Sequence, residues 1–310
     1  MSETTRDIVI LGGARTPMGS FVGPLKDFSA IELGALAARA ALDRSHVDPA
    51  WIDHVVFGNV LQTSGDALYG ARHVGLKSGV PVEVPALTVN RLCGSGVQAA
   101  VSSAQMILLG EASVVLMGGM ESMSQAPYVM RGARTGLRLG NGKLEDSLWE
   151  SLLDTQCGVT MAGTAENCAA KYAISREAQD AYALRSQQLA HRAWSEGRLG
   201  DEVVPVEIAS RKGTTTFAQD DHLRPQTTIE GLAKLPPAFS KTGCVTAGNA
   251  SGIVDGGAAL VLASAEAARA RGLTPLGRLV SWAIVGVDPT LMGMGPVPAI
   301  RALLAKTGLS

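Results

Sequence analysis

Between Arg91 and Glu111 the chain carries no charged side chain. A helix without a charged face cannot lie on a protein surface, so the stretch 97–109 is expected to be buried on both sides. Other layers must therefore enclose it. Composition says what they are made of: aromatics are 4% of the chain and glycines number 36, so the core is Ala, Val, Leu and Gly, with helices lying close on strands.

Apolar runs at strand length alternate with stretches of helical spacing, which predicts an α/β fold. Strands are expected at 7–11, 52–60, 85–89, 113–117, 258–263 and 276–287. Helices are expected at 29–41, with Ser29 as N-cap, at 97–109, 175–196, 264–271 and 298–306, and within 64–78 after an opening loop. From 125 to 243 the chain turns polar and reads as an inserted subdomain. Residues 280–309 roughly repeat the strand, loop and helix of 8–42, which hints at an internal duplication.

With 27 Lys+Arg against 28 Asp+Glu the net charge is -1, which argues against a dedicated nucleic-acid binder. Only 18% of residues are charged, which excludes disorder. Cys93, Cys157, Cys168 and Cys244 show no C-x-x-C spacing, so neither a metal site nor a disulfide scaffold is expected. The short polar N-terminus shows no signal peptide, and no apolar run has the composition of a membrane span. These readings predict a cytoplasmic protein with free thiols and no membrane partner.

Cys93 is the candidate nucleophile. It stands in residues 90–96 (Asn-Arg-Leu-Cys-Gly-Ser-Gly), where a strand ends and a helix begins. Helix N-terminal amides there favour a thiolate or a developing oxyanion, and the glycines leave the sulfur open. A small buried core cysteine is the competing possibility. No base is visible: His46, His73 and His191 sit among ordinary surface residues, His54 opens a strand, and His222 reads as a solvated loop residue. Glu121 ends a strand, where a functional or a turn role fits. Glu166 reads as capping a helix start.

Seven ordered runs are similar to the thiolase family, closest to its acetyl-CoA acetyltransferase (β-ketothiolase) branch. They are 14–19 with Phe21, 90–96, 118–123, 164–167, 223–225, 245–252 and 281–283. The resemblance implies a layered α/β/α/β/α fold of duplicated halves with an inserted loop domain. Residues 1–124 would be the first part of the N-terminal thiolase domain, 125–243 the coenzyme A-binding loop domain, 244–275 the rest of the N-terminal domain, and 276–310 the start of a truncated C-terminal domain.

It also implies that Cys93 carries an acyl group between coenzyme A thioesters. The reaction would be condensation of two acetyl-CoA to acetoacetyl-CoA, or thiolysis of a 3-ketoacyl-CoA. Leu152, Met161, Arg224, Leu235, Ala238, Phe239, Ala247, Ala250 and Ser251 would bind coenzyme A, with no permanently bound cofactor. Met120 and Glu121 would open the segment leading to a tetramerisation loop in a homo-oligomer, dimer or tetramer. The family's Asn-Glu-Ala-Phe, Gly-His-Pro and Cys-x-Gly motifs do not occur in these 310 residues. If Ser310 is the natural terminus, the alternative is a non-catalytic coenzyme A-binding or subunit-interaction protein. A cysteine hydrolase using His222 ranks third.

Overall fold

The computed structural model describes residues 7–310; the polar segment 1–6 lies outside the described residues. It divides into two compact units. Of the described residues, one comprises 7–126, 198–222 and 253–280, and the other 127–197, 223–252 and 281–310. Each is described by itself.

The first unit is built on a seven-stranded sheet. Its strands are β1 (Ile8–Arg15), β2 (Gly19–Ser20), β3 (His54–Gly58), β4 (Ala86–Val89), β5 (Val114–Glu121), β6 (Val254–Ser264) and β7 (Gly277–Arg278). They lie in the order β7-β1-β6-β5-β3-β4, with β2 pairing β6. β6 runs antiparallel to both β1 and β5, whereas β3 is parallel to β5 and β4. The helices are α1 (Ala30–Ser45), α2 (Gly70–Lys77), α3 (Ser95–Leu109) and α4 (Ala265–Ala270). Ser29 caps α1 as the sequence predicts, and Glu32 reaches back to the Ser29 amide to complete a capping box.

The two faces of the sheet carry different helices. Val114, Leu116 and Met120 of β5 share a core with Ala37, Ala38, Ala41 and Leu42 of α1 and with Val74 of α2. Val115 and Met117 alternate to the other face, where α3 packs on β3 and β5. α3 departs from the expected burial on both sides. Its residues Ala99, Val101, Ala104 and Ile107 are buried, but Val97 is 71% exposed and Leu109 is 74% exposed. Residues 92–109 are also apolar and long enough by composition to cross a membrane, contrary to the sequence expectation. Packing on the sheet accounts for the buried face of Ala99, Val101, Ala104 and Ile107 and leaves Val97, Leu108 and Leu109 exposed.

The compact units do not follow the boundaries read from sequence. Residues 198–222 belong with the sheet. Arg15 at the end of β1 binds Asp220 through both guanidinium arms, at 2.7 and 3.0 Å, and Glu202 at 2.7 Å. Asp221 accepts from the Ser20 amide at 2.7 Å. A hairpin of Val206–Ser210 and Gly213–Phe217 places Val206 in a small core with Leu25 and Leu33. The strand expected at 276–287 shrinks to β7, because β1 offers it partners only at Val9 and Ile10. Beyond it Val280, Ile284 and Val285 are exposed and lack a strand to pair with.

The second unit holds the helices Ser147–Ser151, Met161–Lys171, Arg176–Ser195, Ile229–Ala233 and Pro296–Thr307. Two short two-stranded ladders, Tyr128–Val129 with Glu145–Asp146 and Leu153–Asp154 with Val159–Thr160, complete it.

Candidate active site

Cys93 is exposed and lies two residues before the first turn of α3. The turn is knotted by its own polar groups. The Asn90 carboxamide oxygen accepts from the Leu92 amide at 2.9 Å, and the Ser95 hydroxyl accepts from the Arg91 amide at 2.9 Å. The same hydroxyl donates to the Leu92 carbonyl at 2.6 Å. Leu92 takes a left-handed φ of 48°, a strained conformation for a branched residue, and its side chain is exposed. Gly94 occupies the N-cap position and gives no side-chain bond to the helix; the Gly94 and Ser95 amides turn back to the Arg91 and Leu92 carbonyls at 3.0 and 2.9 Å, which leaves those of Gly96 and Val97 as the first-turn donors without a capping side chain. An added Cβ on Gly96 would meet nothing within 4 Å, which leaves the approach to the sulfur open.

The strand ends beneath are shaped for this turn. A Cβ on Gly58 would stand 2.6 Å from the Ser95 carbonyl carbon, so only glycine lets α3 sit this close to β3. Glu121, at the end of β5, accepts from the Asn59 side chain and from the Val60 and Leu61 amides, each at 3.0 Å. Its work is to hold the loop after β3. Burial pushes its carboxyl above the ordinary range, against the pull of those hydrogen bonds and with Asp255 adding to the rise.

Among the described residues no histidine is hydrogen-bonded to Cys93. His73 stacks on Tyr69 and bonds Asp66 at 3.1 Å, and His54 bonds the Val55 carbonyl at 3.2 Å. A cleft of about 410 Å³ beside β4 is lined by Asn59, Tyr69, Arg72, Thr88 and Asn90. None of the expected binding residues lines it, and Arg72 spends its guanidinium on the Val82 and Val84 carbonyls.

The nine residues expected to bind coenzyme A all lie in the second unit. The Met161 amide donates to the Leu152 carbonyl at 2.9 Å, so these two are neighbours. The Ala238 amide donates to the Val245 carbonyl at 2.9 Å and the Ala250 amide to the Thr246 carbonyl at 3.0 Å. Those bonds bring Leu235, Ala238, Ala247 and Ala250 onto adjoining loops. Arg224, Ala238, Phe239, Ala247 and Ser251 are exposed. The Arg224 amide is fixed by the Gln187 side chain at 2.7 Å.

Glu166 departs from its expected capping role. Thr160 caps the helix Met161–Lys171, and Glu166 sits a turn further on. Its carboxylate accepts from the Cys244 amide at 2.9 Å and the Val245 amide at 3.0 Å, and Cys244 Sγ lies 3.1 Å away. Burial opposes its charge, but the two backbone donors outweigh burial and hold the carboxyl below its ordinary range. Burial pushes the Cys244 thiol up, and the facing Glu166 adds to it. Sequence spacing gave no sign of this pairing across 78 positions.

Residues 8–266 match the model of the thiolase N-terminal domain family. The chain belongs to the thiolase family. It is 53% identical over 306 residues to the mitochondrial 3-ketoacyl-CoA thiolase of Homo sapiens, covering 98% of this chain and 77% of that protein. It is 49% identical over 311 residues to an acetyl-CoA acetyltransferase of Pseudomonas aeruginosa, covering 98% of this chain and 78% of that protein. A crystal structure of the human mitochondrial 3-ketoacyl-CoA thiolase in complex with CoA superposes with a TM-score of 0.95 at 53% identity, covering 99% of this chain and 77% of that one.

The family and the layered α/β thiolase fold read from the motifs are therefore right, and thiolase acyl transfer is the activity these relatives support. The non-catalytic alternative finds no support in them. Thiolases use coenzyme A thioesters as substrates. The cytoplasmic location expected from sequence is corrected: relatives from Homo sapiens and Bos taurus are named as mitochondrial enzymes, although bacterial relatives match as well. The four free cysteines do not decide the compartment.

Proposed function

We propose that Cys93 is the acyl carrier of this thiolase and that the second unit's loops take the coenzyme A moiety. In thiolysis, Cys93 Sγ attacks the C3 carbonyl of a 3-ketoacyl-CoA and loses its proton. The C2–C3 bond breaks, acetyl-CoA leaves with a proton on its methyl carbon, and the acyl group stays as a Cys93 thioester. A second coenzyme A thiol then displaces Cys93 and releases the shortened acyl-CoA. Condensation of two acetyl-CoA to acetoacetyl-CoA is the reverse sequence.

First-turn amides of α3 are placed to hold the oxygen as it gains charge. Leu152, Met161, Leu235, Ala238, Phe239, Ala247, Ala250 and Ser251 would line the pantetheine and adenine, and Arg224 would meet the nucleotide phosphates. Residues 127–197 and 223–252 thus serve as the coenzyme A-binding insertion, and the enzyme assembles as a homo-oligomer.

The observation that carries this is an open thiol at the entrance to an uncapped helix, flanked by glycines. Incubation with radiolabelled acetyl-CoA followed by peptide mapping tests it. Label on the Cys93 peptide, lost in Cys93→Ser and kept in Cys157→Ser, is the expected pattern. Label on another cysteine overturns the assignment.

A further inference from the structure

The helix Arg176–Ser195 is polar along its length, and the one residue it buries is an aspartate: Asp180 is 2% exposed. A helix lying on a surface ordinarily buries an apolar stripe. Here the buried group is a carboxylate, and every partner it has leads to the loops expected to receive coenzyme A.

One oxygen of Asp180 accepts from Arg176 Nε at 2.8 Å, one turn earlier. The far arm of that guanidinium donates to two backbone carbonyls, Leu232 at 2.7 Å and Leu235 at 3.0 Å. The other Asp180 oxygen accepts from Asn249 Nδ2 at 2.9 Å. Asn249 passes the connection on: its Nδ2 also donates to the Cys244 carbonyl at 3.0 Å, and its oxygen accepts from the Thr246 amide at 2.7 Å. Gly248 closes the junction, since a Cβ there would stand 2.5 Å from side-chain atoms of both Leu232 and Leu235. One carboxylate thus joins the 232–235 stretch, through a cation, to the 244–250 stretch, through an amide.

We propose that Asp180, with Arg176 and Asn249, is a positioning hub that sets coenzyme A affinity by fixing these two loops against each other. This rests on the coenzyme A assignment above. Leu235, Ala247, Ala250 and Ser251 lie on or beside the two stretches, where the Leu235 amide donates to the Leu232 carbonyl and the Ala250 amide to the Thr246 carbonyl, each at 3.0 Å. None of the three hub residues need touch the ligand. The guanidinium fork lets Arg176 hold the Asp180 carboxylate through Nε and both carbonyls through Nη2 at once, which the single ammonium of a lysine cannot match.

Calorimetric titration with coenzyme A tests the proposal on the wild-type chain, Asp180→Asn, Arg176→Gln, Arg176→Lys and Glu196→Gln, an exposed change at the C-cap of the same helix. Loops that reach the binding arrangement only a tenth of the time raise the apparent Kd about tenfold. That rise is expected for Asp180→Asn and Arg176→Gln, with little of the loss recovered in Arg176→Lys and no loss in Glu196→Gln. Alkylation of Cys168, which is 8% exposed in the same unit, should stay as slow as in the wild type, so that loosened loops are told apart from a loosened fold.

In the wild-type chain, coenzyme A should slow amide exchange in 232–238 and 244–251 together. Unchanged Kd in both loss variants, or protection of one stretch without the other, overturns the hub. If the variants unfold, the exchange result on the wild type decides. If the wild-type chain does not bind coenzyme A, the coenzyme A assignment itself fails and the hub falls with it.

Discussion

Gly58, the last residue of β3, lies directly beneath Ser95, the first residue of α3, with room between them for hydrogen but not for a methyl group. The contact is to the Ser95 backbone, which cannot swing aside as a long side chain would. Gly58→Ala is therefore expected to lift the first turn of α3 and to cost about 1–3 kcal/mol, the usual range for overpacking. Urea unfolding measures the cost. Because the Ser95 hydroxyl ties the turn that carries Cys93, acyl labelling of Cys93 should fall by more than the loss of folded protein explains.

The four thiols should separate sharply under a small alkylating agent. Cys93 is exposed, Cys157 and Cys244 are half-buried, and Cys168 is buried. Burial and the facing Glu166 both raise the Cys244 thiol, so it holds little thiolate at neutral pH. Mass spectrometry over a time course should find Cys93 modified first, Cys244 late and Cys168 last. Cys244 modified before Cys93 would be the wrong order.

Two carboxylates should tilt the pH dependence of stability in opposite directions. Glu121 has its folded value raised above the ordinary 4.5. Between those two values the folded chain holds the proton longer, so stability falls as pH rises through that window and levels off above it. Glu166 has its folded value lowered below 4.5, so its contribution is full above the ordinary value and is lost as pH falls through the folded one. Glu121→Gln should remove the first slope and Glu166→Gln the second. Each also leaves a backbone donor facing an amide NH2, costing about 1–3 kcal/mol. Thermal melting from about pH 2.5 to 7 reads both, the Glu166 slope below the ordinary carboxylate value and the Glu121 slope above it.

What sequence could foretell followed from local pattern. Ser29 with Glu32 three positions on marks the start of α1, and the charge-free run after Cys93 marks the helix α3, although one face alone packs on the sheet where its composition predicts burial on both sides. Glycine misled the strand ends. Gly12 and Gly13 look like a stop after 7–11, yet β1 continues to Arg15. A Cβ on Gly12 would stand 2.7 Å from Ser45, so glycine there admits the end of α1 and does not end the strand.

Charges misled the middle. Asp220 and Asp221 look solvated in sequence, but their partners, Arg15 and the Ser20 amide, lie about two hundred positions away. Asp180 looks like one more acid on a polar helix, and Arg176 four positions earlier looks like an ordinary surface pair. Nothing within a helical window tells a buried carboxylate from an exposed one when its deciding partners are main-chain carbonyls and an asparagine from distant loops.

The sidedness of α3 gives the last test. Ile107 is fully buried, while Leu109, two residues on, projects largely into solvent. Both are branched aliphatics in one helix turn, so helix propensity barely separates them and burial decides the outcome. Ile107→Ala should cost about 2–5 kcal/mol through lost transfer energy and the cavity left behind. Leu109→Ala should stay within about 0.5 kcal/mol, as surface substitutions do. Urea unfolding of the two variants measures the difference. Equal costs would mean that α3 is covered on both faces in solution, as its sequence alone would suggest.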